Sequence, residues 1–312
     1  MATNVWTGTV DGNAETALNW TEGLPASGQD IILPPYATRG ITSGMDALGA
    51  RTLKSFWVQE GFTHDIGNTS GGFFQVDISH SGATQFLYEG SSTLAKFQII
   101  KTLAATPINI RKTGIGNAGQ PAFQLITNDV SAASTNVGKV SVYSGEVLLG
   151  PEQKICEIES LTVGSNSSES SPTVTAGVNC RSTTGDGPLI RLTVNSGHVT
   201  AQCLSANVDQ HGGEISYEGL LLATLNLYGG TIKFNNPTDA SGGYAISKLN
   251  LRGGTVSNVE NPTVKTFTNA DLYSGSIQDP LGKLVWTNAV VFKNKMTDVD
   301  FDFGPERTVT IA

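Results

Sequence analysis

One short pattern recurs through the second half of the chain, and it restricts the fold more than any other feature of these 312 residues. Alternating apolar residues run into a small residue, a glycine, any residue, and then valine or isoleucine. The copies are Val140-Ser-Val-Tyr-Ser-Gly-Glu-Val147, Leu192-Thr-Val-Asn-Ser-Gly-His-Val199, Val208-Asp-Gln-His-Gly-Gly-Glu-Ile215, Leu225-Asn-Leu-Tyr-Gly-Gly-Thr-Ile232, Leu249-Asn-Leu-Arg-Gly-Gly-Thr-Val256 and the shorter Leu272-Tyr-Ser-Gly-Ser-Ile277. Their anchoring glycines are Gly145, Gly197, Gly213, Gly230, Gly254 and Gly275, successively 52, 16, 17, 24 and 21 residues apart. The widest gap leaves room for one degenerate copy around Leu161-Thr-Val-Gly164.

Period-two alternation puts the leucines and valines on one side of a strand, and glycine permits the bend that a β-branched residue could not make. A unit this small cannot bury its apolar side alone, so it has to stack on its neighbours. Stacked coils satisfy one another's backbone groups as parallel strands. The expected fold is all-β, a right-handed parallel β-helix with an N-terminal capping region. An antiparallel sandwich has similar strand spacing, but its strands have no reason to resemble each other.

The solenoid divides into four stretches. Residues 1–45 form a tryptophan-containing cap or attachment segment, 46–138 irregular β-rich coils, 139–285 the regular repeats, and 286–312 the C-terminal strands. Leu53-Lys-Ser-Phe56-Trp57-Val58, Phe73-Phe74-Gln-Val76-Asp-Ile78, Pro107-Ile-Asn-Ile-Arg111 and Phe123-Gln-Leu-Ile126 read as strands of the irregular coils. The polar run Ser165-Asn-Ser-Ser-Glu-Ser-Ser171 cannot form core and reads as an excursion from a corner.

Charged residues are only 15% of the chain and the net charge is −8, a balance that argues against a phosphate-binding surface and so against nucleic-acid partners. No apolar run approaches the roughly 20 residues of a membrane span. The opening Met-Ala-Thr-Asn-Val-Trp6 has no basic and apolar leader, so export by the general pathway is not expected. Cys156, Cys180 and Cys203 match no zinc spacing and are expected as free, buried thiols; their spacings of 24 and 23 residues place them at related positions in successive coils.

No catalytic, cofactor or metal constellation emerges. His64, Asp65 and His80 lack a third ligand at useful spacing. Asp298, Asp300 and Asp302 alternate on one face of a strand and read as a solvated edge, while Gly114-Ile-Gly-Asn-Ala-Gly119 lacks the helix that a dinucleotide loop requires. A polysaccharide lyase or hydrolase, the usual enzymatic use of such a fold, therefore ranks low.

The N-terminal segment carries Trp6-Thr-Gly8, Leu18-Asn-Trp20, Gly23-Leu-Pro25 and Asp30-Ile-Ile-Leu33. This W-x-G, N-W, G-x-P and acidic-strand arrangement resembles the start of bacterial and phage β-helix proteins over about the first 33 residues. Trp6, Trp20, Pro25 and Asp30 are accordingly its candidate cap or attachment residues, with packing favoured over a sugar-stacking platform. The chain as a whole resembles phage virion structural proteins. That resemblance implies a capsid decoration (cement) protein or head fibre, made in the host cytoplasm and located on the capsid surface. It also implies a homotrimer that binds the major capsid protein or other virion proteins, with a tail fibre or tailspike binding a receptor or glycan as the second choice.

Overall fold

The computed structural model describes residues 2–78, 80, 85–100, 108–114, 123–127, 137–165, 171–177, 179–181, 188–219, 221–234, 244–259, 263–293 and 299–302. Among these the chain is nearly all strand, with only two short 3-10 turns, Ala17–Asn19 and Pro151–Gln153. No helix of the described residues is long and apolar enough to cross a membrane.

The strands form two long parallel sheets. The larger has 15 strands and runs from Thr3–Val5 to Leu284–Trp286; the smaller has 11 and runs from Phe74–Asp77 to Val299–Asp302. From Ser55 onward the chain passes back and forth between the two sheets, which is the topology of a parallel β-helix. Because the larger sheet begins at Thr3, the cap segment is paired into the same stack as the repeats.

The registers reproduce the sequence alignment. Val140, Leu161, Leu192, Val208, Leu225, Leu249 and Ala270 are aligned from coil to coil and all point into the core. Leu227 and Leu251 lie in the next inward column, and on the opposite sheet Val147, Val174, Val199, Ile215, Ile232, Val256 and Ile277 face them. Leu161 pairs with both Val140 and Leu192, so the coil expected between Gly145 and Gly197 is present. The buried apolar core is continuous from Trp6 to Val290.

All six anchoring glycines have positive φ, from +69° to +116°, at the corner between the sheets. A second constraint acts there. The Gly213 carbonyl accepts the Thr231 amide at 2.9 Å and occupies the space where a Cβ on Gly230 would sit, 2.4 Å away. Gly254 relates to the Gly230 carbonyl in the same way, at 2.5 Å. In the degenerate coil Pro172 takes the glycine's place, its carbonyl accepting the His198 amide at 2.8 Å.

The irregular coils compensate with aromatic volume. Phe56, Phe74, Phe86, Tyr88, Phe97 and Phe123 are fully buried and meet ring to ring. Beside them Lys112 points inward in register with Tyr88 and Val142, donating to the carbonyls of Gly114 and Ser144. Burial pulls its pKa down from 10.5 to about 8. Between those values the unfolded chain holds a proton that the folded chain has released, so stability rises with pH across the window. Urea unfolding at several pH values between about 7.5 and 10.5 should show this rise in the wild type and a flatter profile in Lys112→Met. Parallel profiles for the two proteins would refute the assignment.

The thiols are free and buried, and they lie together. Cys156 and Cys180 pair directly in register, and Cys180 is hydrogen-bonded to both of the others. Hydrogen bonding with Cys156 and then burial push the Cys180 thiol well above the ordinary range, and hydrogen bonding with Cys180 and burial do so for Cys203.

Candidate functional site

At the N-terminal end the two tryptophans meet edge to face, with centroids 4.9 Å apart. Trp6 is fully buried and Trp20 nearly so. Each indole N–H has a carbonyl partner, Arg39 O at 2.7 Å for Trp6 and Ala14 O at 2.9 Å for Trp20. With their faces packed and their polar atoms satisfied, these rings hold the cap and offer no platform to a ligand.

The Asn-Trp pair explains itself in the same geometry. Asn19 is fully buried, donates to Asp11 at 2.6 Å and to the Asn13 carbonyl at 3.0 Å, and accepts from the Val10 amide at 2.9 Å. It ties the loop after the first strand while Trp20 fills the core beneath. Pro25 is buried, and Gly23 takes a positive φ while its carbonyl accepts from Asn4 at 2.9 Å. Asp30 differs from the others. It is half-buried on the outer face of the larger sheet, where it accepts the Ser55 hydroxyl at 2.6 Å.

The outer faces of the regular coils carry columns of polar side chains bonded along the solenoid axis. Asn250 donates to Asn226 at 2.7 Å and Asn226 to Asp209 at 2.8 Å. Lys248 and Lys293 bridge to Asp271 at 3.0 and 3.4 Å, and Arg191 approaches Asp209 at 3.6 Å. Desolvation opposes the charge on Asp271, but the two lysines outweigh it and hold the carboxyl below its ordinary value. On the smaller sheet Glu214 lies between His198 at 3.3 Å and Lys233 at 2.6 Å.

A third column runs along the glycine corner, from the residue two places before each anchor. His211 and Tyr228 stack in parallel with centroids 4.7 Å apart, and Arg252 lies 5.9 Å from the Tyr228 ring and 4.5 Å from that of Tyr273. His211 and Tyr228 turn ring faces toward each other, and Tyr273 faces Arg252. The apolar and glycine positions that define the repeat do not reveal this column; its signal is the planar residue recurring two places before the glycine.

The remaining candidates fall as follows. His64 Nε2 lies 2.8 Å from the Ala37 carbonyl, its ring edge-on to Phe62. Asp300 and Asp302 stand in the final strand of the smaller sheet, opposite Ser276 and Gln278, with Asp302 exposed; Asp298 and the residues after Gly114 in the glycine-rich run lie outside the described residues. Among the described residues no group of three or more His, Cys, Asp or Glu side chains could hold a metal ion.

These features define the class: a parallel β-helix whose repeated surface residues bond one coil to the next. No protein-family model, curated protein or solved structure matches the chain.

Proposed function

We propose that this protein is a non-catalytic structural component of a phage particle, a capsid decoration protein or head fibre that acts as a homotrimer. The observation that carries the reading is the direction of the surface interactions. In the regular coils the polar and charged groups are engaged along the axis, as the Asp209–Asn226–Asn250 ladder, the Asp271 and Glu214 bridges and the His211–Tyr228 stack. Residues arranged in this way stiffen a rod and do not converge on a reacting atom. Three such rods lying side by side would cover their exposed sheet faces, and the end closed by Trp6 and Trp20 would present the attachment surface through the loop residues around them.

Two measurements test this. Sedimentation equilibrium should give three times the 32.7 kDa chain mass. A mass-spectrometric census of purified particles from the source phage should find the protein in stoichiometric amounts. A concentration-independent monomer that is also absent from the particles would reject both the trimer and the virion role.

A further inference from the structure

One part of the surface departs from this axial pattern. In the first coils, up to Leu87, one of the two outer columns of the larger sheet is apolar, with Val5, Ile32, Trp57 and Leu87 in register and half-buried, before it turns polar at Arg111. Trp57 differs from the capping tryptophans because it stands on the outside of the stack. Its Nε1 donates to Glu89 Oε2 at 2.7 Å, which fixes the ring.

One hollow adjoins that ring and a second adjoins its partner Glu89. The first, of about 230 Å³, is lined by Ser55, Phe56, Trp57, Gln85 and Leu87. The other, of about 490 Å³, lies past the strand ends and is lined by Glu60, Gly61, Glu89, Ser91, Thr113 and Gly114. Glu89 belongs to the second hollow and holds the indole that walls the first, so the two are adjacent. The larger one is within the roughly 300–1,000 Å³ range of small-ligand sites.

The charge at this place is acidic. Asp209, Glu214 and Asp271 are bridged by basic groups, whereas Glu60 and Glu89 have no basic partner among the described residues. The Ser55 hydroxyl donates to Asp30, which leaves its own lone pairs available as acceptors. A fixed indole, two carboxylates with no cation beside them among the described residues and the hydroxyl-bearing Ser91 and Thr113 in a concave strip fit one ligand chemistry. The C–H face of a sugar ring stacks on the indole, and carboxylates accept from neighbouring sugar hydroxyls or from an ammonium group. A uronic acid would set its carboxylate against Glu60 and Glu89.

We propose that the Trp57 slot and the Glu60–Glu89 groove form one binding site for a saccharide that carries no negative charge, with an amino sugar preferred. This site is independent of the particle assignment, which can fail without affecting it.

Isothermal titration of the full chain with trimers of glucosamine, glucose and galacturonate tests the site directly. The glucosamine trimer should bind, the glucose trimer should bind at least threefold more weakly, and the galacturonate trimer should show no heat. Trp57→Ala should weaken glucosamine binding at least tenfold, Trp57→Phe should retain most of it, and Glu60→Gln should narrow the gap between the first two ligands. Circular dichroism of each variant establishes that the stack is intact.

Absence of binding by the glucosamine trimer at millimolar concentration overturns the proposal. So does comparable binding of galacturonate, or unchanged affinity in a folded Trp57→Ala variant. If Trp57→Ala instead lowers the sedimenting mass of the wild-type assembly while wild-type protein binds none of the sugars, the saccharide site is rejected and this face is a contact between copies of the chain.

Discussion

Truncating Phe97 to alanine is expected to be among the most damaging single changes in the protein, costing about 3–5 kcal/mol. Its ring contacts four others, with centroids 5.8 Å from Phe56, 4.9 Å from Phe86, 6.1 Å from Tyr88 and 5.6 Å from Phe123. Four rings cannot all move inward to fill one gap, because each is held by its own strand register. The damage should also be local. Coils contact chiefly their neighbours, so urea unfolding monitored by circular dichroism should split into two transitions, with the aromatic coils melting first. Phe97→Leu restores most of the volume and should recover much of the loss. A single transition with an unchanged midpoint in Phe97→Ala would show that this cluster does not hold the coils together.

Gly230→Ala should cost about 2–5 kcal/mol, summing left-handed backbone strain with overpacking. The φ of +79° is one part; the Gly213 carbonyl, 2.4 Å from the added Cβ, is the other. Relieving the clash means pushing the coils apart at the bond between that carbonyl and Thr231. Gly23→Ala separates the two contributions, because Gly23 has φ of +74° and nothing within 4 Å of a built Cβ. It should lose only about 1–2 kcal/mol, the cost of the conformation alone. Equal urea midpoints for the two variants would mean that coil-to-coil crowding contributes nothing.

The regular repeats are legible in the sequence because one physical demand is made at each turn of the chain. Inward leucines at Leu225, Leu227, Leu249 and Leu251 and a glycine under the previous carbonyl recur whenever coils stack. The thiols are legible in part. Their spacing suggests successive coils although their offsets from the glycines differ, and the Cys156–Cys180 register accounts for this by pairing the start of the Cys156–Val163 strand with the separate short strand Cys180–Arg181. Residues with individual tasks are harder to read. Trp57 lies in an apolar run whose alternation points it outward, but nothing in that run indicates that Glu89, 32 positions later, receives its indole N–H. The inward lysine at 112 is hidden for the same reason, since its carbonyl partner Ser144 comes from the following coil.

The corner after Val163 has a use that neither the core nor the surface columns require. The strand of the larger sheet ends there and the next strand of the smaller sheet begins at Thr173, whereas the next corner spans only from Val194 to His198. Strands on both sides keep full register with their neighbours, Val163 with Val142 and Val194, and Thr173 with Glu146 and His198. Chain length at this corner is therefore uncoupled from the pitch of the coils, and lengthening an already long connection adds little closure entropy. A foreign peptide spliced between Ser165 and Ser171 would be carried at one fixed height on the rod, making this corner the natural graft point for displaying an epitope or reporter tag.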